Sequence, residues 1–158
     1  MAKPTAYIET TVIGHLVGRI VSDPIVAGRQ AVTRQWWPSA VKKYRLFVSK
    51  VVADECAAGD ADVAKERLEA LSSLEFIASS PSVDELARKL IDESAVPETE
   101  PRDAVHISLA AVNGLEYLVS WNFKHIVNPT TRSAIERVCE DAGFAPPMIC
   151  TPDELMEA

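Results

Sequence analysis

The chain has 158 residues, 47% hydrophobic and 25% charged, with a formal net charge of −7. That is an ordinary globular composition, with enough sequence to bury a core, and the length predicts a single domain over 1–158. No apolar run approaches a membrane span and no signal peptide opens the chain, so a cytoplasmic protein with no membrane partner is expected.

Ala6-Tyr7-Ile8 is a short apolar run expected to form a buried strand ending at Glu9. A threonine, Thr10 or Thr11, is expected to cap a short helix through Leu16. Asp23 and Pro24 restart a helix, as cap and first position. It is expected to run to about Tyr44, with Ile25, Val32, Trp36 and Val41 on a core-facing stripe and a kink or break near Trp37 caused by Pro38. Adjacent tryptophans cannot share a stripe, so Trp36 or Trp37 is a candidate to face a partner. Pro24 to Ala53 holds no Asp or Glu, and Arg29, Arg34, Lys42, Lys43, Arg45 and Lys50 give it +6, leaving −13 on the rest. The net charge argues mildly against a nucleic-acid partner, and this basic segment argues the other way.

Leu46-Phe47-Val48 is the second expected strand, and Ser49 caps a helix through Glu55 to Ala58, stopped by Gly59. Asp60 caps a helix over Asp62 to Leu71, and Leu74 to Ala78 is the third strand. Ser82-Val-Asp-Glu85 has the form of a capping box ahead of Leu86, Leu90 and Ile91. After a loop with two prolines, Pro101 suits the first turn of a helix whose apolar stripe is Val105, Leu109 and Val112. Asp103 lies in that first turn, where the helix dipole favours a carboxylate. Asn113-Gly114 stops the helix. Tyr117-Leu118-Val119 is the fourth strand, Asn128-Pro129 opens a helix ending near Gly143, and Met148-Ile149-Cys150 is the fifth strand. Thr151-Pro-Asp-Glu154 is a second capping box. Cys56, Cys139 and Cys150 are odd in number and lack C-x-x-C spacing, which points to reduced thiols.

Short apolar strands alternating with helices predict an α/β fold with a five-stranded, mainly parallel sheet covered on both faces. In such sheets sites form beyond the carboxyl ends of the strands. Glu9, Glu55, Asp103 and Asn122 are expected at that edge. Clustered carboxylates resist ionising together, and oxygen-only ligands suit Mg²⁺ or Mn²⁺. Such a cation serves phosphoryl chemistry.

The segments Tyr7-Ile8-Glu9-Thr10-Thr11-Val12-Ile13, Val48-Ser49-Lys50-Val51-Val52-Ala53-Asp54-Glu55, Arg102-Asp103-Ala104-Val105-His106-Ile107-Ser108-Leu109-Ala110 and Leu118-Val119-Ser120-Trp121-Asn122 resemble, in order, the four motifs of the PIN-domain ribonucleases. The resemblance is in particular to VapC-like toxins of bacterial toxin–antitoxin pairs, and it covers essentially the whole chain. It implies a PIN-like α/β/α sandwich and a metal-dependent endoribonuclease. Its implied partners are an RNA substrate and a cognate antitoxin, and its implied state is a homodimer. Glu9, Glu55 and Asp103 would be catalytic. Glu9 and Asp103 would hold the cation with Asn122 assisting, and Glu55 would orient or deprotonate the attacking water. Thr10 and Ser120 would support the site, and Arg102, Lys124 and His125 are candidate RNA contacts. His106 is read as a satisfied structural histidine beside Asp103.

The chain departs from the family pattern twice. Glu9 stands where Asp is usual, and Asn122 stands where an acid is usual, which removes one negative charge. These departures motivate an alternative: a catalytically weak PIN domain that binds RNA or protein. A phosphohydrolase on a similar sheet is disfavoured, because no Asp-x-Asp follows the first strand.

Overall fold

The computed structural model describes residues 2–156. Five strands form one sheet in the order β3-β2-β1-β4-β5, and every neighbouring pair is parallel. The strands are β1 (Thr5–Ile8), β2 (Arg45–Ser49), β3 (Glu75–Ile77), β4 (Tyr117–Val119) and β5 (Met148–Cys150). Parallel neighbours require crossovers, and helices supply them. The first three are α1 (Thr10–Leu16), α2 (Pro24–Lys43) and α3 (Lys50–Cys56). They are followed by α4 (Ala61–Leu71), α5 (Pro81–Asp92), α6 (Pro101–Val112) and α7 (Pro129–Asp141). A single 3₁₀ turn, Asp153–Leu155, follows β5. Among the described residues no helix is long and apolar enough to cross a membrane.

Ala6, Tyr7 and Ile8 are fully buried because β1 is the central strand and is covered on both faces. Tyr7 pairs with Phe47 on one side and with Leu118 on the other. β3 and β5 are short edge strands, and Phe76 and Met148 on them are exposed. From β1 the chain steps outward through β2 to β3, then returns past β1 to β4. The order of connection therefore reverses between β1 and β4, and a crevice opens at their carboxyl ends.

Four local expectations are corrected. α2 is not broken at Pro38 but runs on to Lys43. An interior proline costs about 3 kcal/mol. Burying an indole of ~150–250 Å² at ~25 cal/mol per Å² returns about as much or more, and Trp36 is buried. The buried positions of α2 are Gln30, Thr33, Trp36 and Ala40, while Ile25 and Val41 are exposed. An apolar stripe could not reveal this face, because its polar members bury by hydrogen bonding. Gln30 Oε1 accepts from Val21 N and its Nε2 donates to Arg19 O. Thr33 Oγ1 accepts from Trp121 Nε1 at 2.8 Å. Trp37 is half-buried and packs against the core, edge-on to Trp36.

The cap of α1 is Glu9, not a threonine, and its side chain caps nothing because it is engaged elsewhere. The cap of α5 is Ser80, not Ser82, since Pro81 takes the first helical position and Val83 N donates to Ser80 Oγ. Ser80→Ala should therefore lower stability by about 1 kcal/mol in urea titration, and Ser82→Ala by under about 0.5 kcal/mol. Equal effects would refute this cap. The three cysteines are buried free thiols. Burial pushes their pKa values up, to about 11 for Cys56 and Cys139 and about 12 for Cys150.

Candidate active site

A cleft of about 460 Å³ lies at the β1/β4 reversal, lined by Glu9, Glu55, Asp103 and Asn122 together with Thr10, Thr11, Gly14, His15 and Arg67. The sheet topology brings the first four together from four separate elements. Glu9 is the residue after β1 and Asn122 lies just beyond β4. Glu55 is near the end of α3, and Asp103 is in the first turn of α6.

Glu9 is buried, and its Oε1 accepts from Thr11 Oγ1 and from Ser120 Oγ, the latter at 2.6 Å. Both hydroxyls also accept from the chain leaving β4. Trp121 N donates to Thr11 Oγ1 and Asn122 N donates to Ser120 Oγ, each at 2.9 Å. Each hydroxyl thus has one backbone donor and one carboxylate acceptor, which fixes its proton toward Glu9. Thr10 turns the other way and donates to Glu55 Oε1 at 2.7 Å.

His106 Nε2 lies 2.6 Å from the same Glu55 oxygen. Burial alone would raise the Glu55 pKa, but the hydrogen bonds from His106 and Thr10 and the charge of Arg102 bring it below the usual glutamate value. Glu55 is therefore a carboxylate at neutral pH. Asp103 goes the opposite way. Burial raises its pKa, with Glu9 and Glu100 adding repulsion, while the hydrogen bond from Asn122 pulls it down.

Asn122 Oδ1 accepts from His125 N at 3.1 Å. A backbone N–H can only donate, so the carbonyl oxygen is committed to the turn and the amide group is the part left for Asp103. The orientation is set by the turn that follows β4, whose His125 N–H bonds the Asn122 side chain. Among the described residues no three His, Cys, Asp or Glu side chains form a ready metal cage. Mg²⁺ needs less than that: it is commonly held by one or two carboxylates and keeps several waters. Glu9 and Asp103, both buried and facing one cleft, fit that requirement.

The remaining candidates disperse. Arg102 is exposed on the first turn of α6, and its charge reaches Glu55. Lys124 is exposed, and His125 Nε2 stands 4.0 Å from Glu100 Oε1; neither lines the cleft. Several members of the basic segment are engaged separately. Arg34 donates to His15 O and Gly18 O, Arg45 pairs with Glu75, and Lys50 pairs with Asp54. Arg29 lies over the Phe123 ring at 4.6 Å.

Besides Gly14, three polar cleft residues were not expected from the sequence. Thr11 stands two residues after Glu9 in the motif, where that closeness was the available signal. His15 has its Nδ1 2.7 Å from Thr11 O, and its Nε2 is buried with no hydrogen-bond partner among the described residues. Burial lowers its pKa, so it is neutral near pH 7. Arg67 is fastened by bonds to Cys56 O and Ala58 O, and no sequence pattern links α4 to this cleft.

No protein-family model matches the chain, and no curated protein matches it. Among solved structures, the chain is similar in fold to a chain of VapBC2 from Rickettsia felis, determined bound to a DNA fragment from their promoter. The TM-score is 0.58 at 15% sequence identity, covering 93% of this chain and 98% of that chain. At that identity the likeness speaks for the fold.

Proposed function

We propose that this protein is a divalent-metal-dependent endoribonuclease of the PIN type, acting as the toxin of a toxin–antitoxin pair. The observation that carries the proposal is the meeting of Glu9, Glu55 and Asp103 in one cleft at the β1/β4 reversal. The fold likeness to a chain of VapBC2 agrees with it, as do the four sequence motifs. On this reading Glu9 and Asp103 hold Mg²⁺ or Mn²⁺. The cation, when bound, supplies positive charge to the phosphodiester. Glu55, ionised and clamped through Oε1, orients the attacking water for in-line displacement at phosphorus. Thr10 and Ser120 fix the two glutamates, and Asn122 restrains Asp103 through its amide. Arg67 offers a fixed charge to a phosphate oxygen. The partners on this reading are RNA, a cognate antitoxin and a second copy of the chain, and the setting is cytoplasmic.

The test is cleavage of single-stranded RNA and tRNA across a Mg²⁺ and Mn²⁺ titration. Turnover should require the cation and stop on chelation. RNA binding without turnover at saturating cation would instead favour the interaction-module reading, which the neutral residue at position 122 motivates.

Asn122→Asp probes that position. One carboxylate oxygen can still accept from His125 N, so the turn is kept, and the other faces Asp103. Metal affinity should tighten about tenfold, and the metal-free protein should melt lower, because one added charge causes both effects. Calorimetric titration and metal-free melting measure the two. If neither moves, position 122 does not act on the cleft.

A further inference from the structure

Behind the cleft runs a chain of buried polar groups that the proposed reaction does not use. Val52 N lies 3.4 Å from Ser49 Oγ, which lies 2.8 Å from the Tyr7 hydroxyl. That hydroxyl is 2.6 Å from His106 Nδ1, and His106 Nε2 is 2.6 Å from Glu55 Oε1. Tyr7 and His106 are fully buried and Ser49 is 2% exposed, so water does not settle their protons.

The geometry points to Tyr7 and His106 as positioning residues: a one-way hydrogen-bond relay keeps Nδ1 of His106 as the acceptor and its ring proton on Nε2, and so fixes which oxygen of Glu55 faces the cleft. Only the catalytic consequence rests on the nuclease reading above. The direction follows from the first donor. Val52 N–H must donate to Ser49 Oγ. Ser49 then gives its own proton to the Tyr7 oxygen, Tyr7 gives its proton to His106 Nδ1, and the remaining ring proton points from Nε2 to Glu55. Every proton has an acceptor.

Run in reverse, an imidazolium would donate to Tyr7 and Tyr7 to Ser49. Ser49 Oγ would then accept twice, and its own proton would be buried without a partner, a costly arrangement. At the far end both hydrogen bonds, from His106 and Thr10, land on Oε1 of Glu55. Among the described residues none lands on Oε2. That oxygen is the one left to orient a water.

Ring ¹⁵N shifts of His106, in metal-free protein near neutral pH and assigned by difference with His106→Gln, read the tautomer directly. Nδ1 should be bare and Nε2 protonated, and Tyr7→Phe should abolish this single pattern. In RNA cleavage Tyr7→Phe should lower kcat about tenfold with KM unchanged. His106→Leu should lose at least as much, and His106→Gln, whose amide can donate to Glu55, should recover most of it. A protonated Nδ1 in the parent protein, or parental kcat in folded Tyr7→Phe, would overturn the relay. A parent protein that cleaves no RNA would sink the nuclease reading alone. The ring-nitrogen pattern of the unaltered protein would still decide the relay, whether or not the variants fold.

Discussion

Asp103→Asn should abolish RNA cleavage, by at least about 10²–10³-fold, while raising the melting temperature of the metal-free protein. Asp103 is buried, and burial with nearby Glu9 and Glu100 raises its pKa above the ordinary aspartate value. A carboxyl whose native pKa is raised binds its proton more tightly in the folded chain than in the unfolded one. Its stabilising share is fully present below the unfolded value and is lost as pH rises through the native value. At pH 7 the parent has lost that share. The asparagine variant never ionises, so it should melt higher at neutral pH, and the difference should close on acidification below the ordinary aspartate range. Loss of the charge at the helix N-terminus opposes this by under about 1 kcal/mol. Melting curves across pH, beside a cleavage assay, carry both arms. A variant that cleaves like the parent ends the assignment of Asp103 to catalysis.

Glu9→Gln should have an effect of similar size by a different route. The two hydrogen bonds that hold Glu9 both end on Oε1. A glutamine oxygen can accept both, so the clamp by Thr11 and Ser120 survives and the melting temperature should move little. What is lost is the charge, and a neutral amide holds a divalent cation poorly. Mg²⁺ affinity should fall below detection by calorimetry, and cleavage should fall about 10²-fold or more. Glu9→Asp is the contrast. It keeps the charge but draws the carboxylate back by one methylene from its two hydroxyl donors. Undiminished cation binding by Glu9→Gln would remove Glu9 from the ligand set.

The acids of this cleft were legible in the sequence because a backbone rule locates them. Strand ends and helix first turns follow from apolar runs and prolines, and Glu9, Glu55 and Asp103 are fixed to those landmarks. The parallel five-stranded sheet was legible for the same reason. What could not be read was direction within the site. Thr10 and Thr11 are neighbours, yet they serve different glutamates, because successive residues at a helix start point to different sides. Asn122 was expected to offer an oxygen, but only the position of His125 N shows where that oxygen goes. Tyr7 reads as one apolar letter in a strand. Its hydroxyl matters through Ser49, 42 residues away, and His106, 99 residues away, and contacts of that kind leave no periodic trace. The buried face of α2 was missed likewise, since Gln30 and Thr33 are buried by partners outside the helix.

The clamp on Glu9 joins residues 111 positions apart. During synthesis β1, α1 and even Glu55 leave the ribosome long before Ser120, Trp121 and Asn122 exist. Until then Glu9 lacks its Ser120 donor, Thr11 lacks the Trp121 N–H, and the wall formed by Asn122 is missing. A nascent chain that stops short of Asn122 therefore cannot assemble the cleft, however well its earlier elements fold. Whatever chemistry the cleft performs is withheld from the ribosome that is making it until the segment after β4 has emerged.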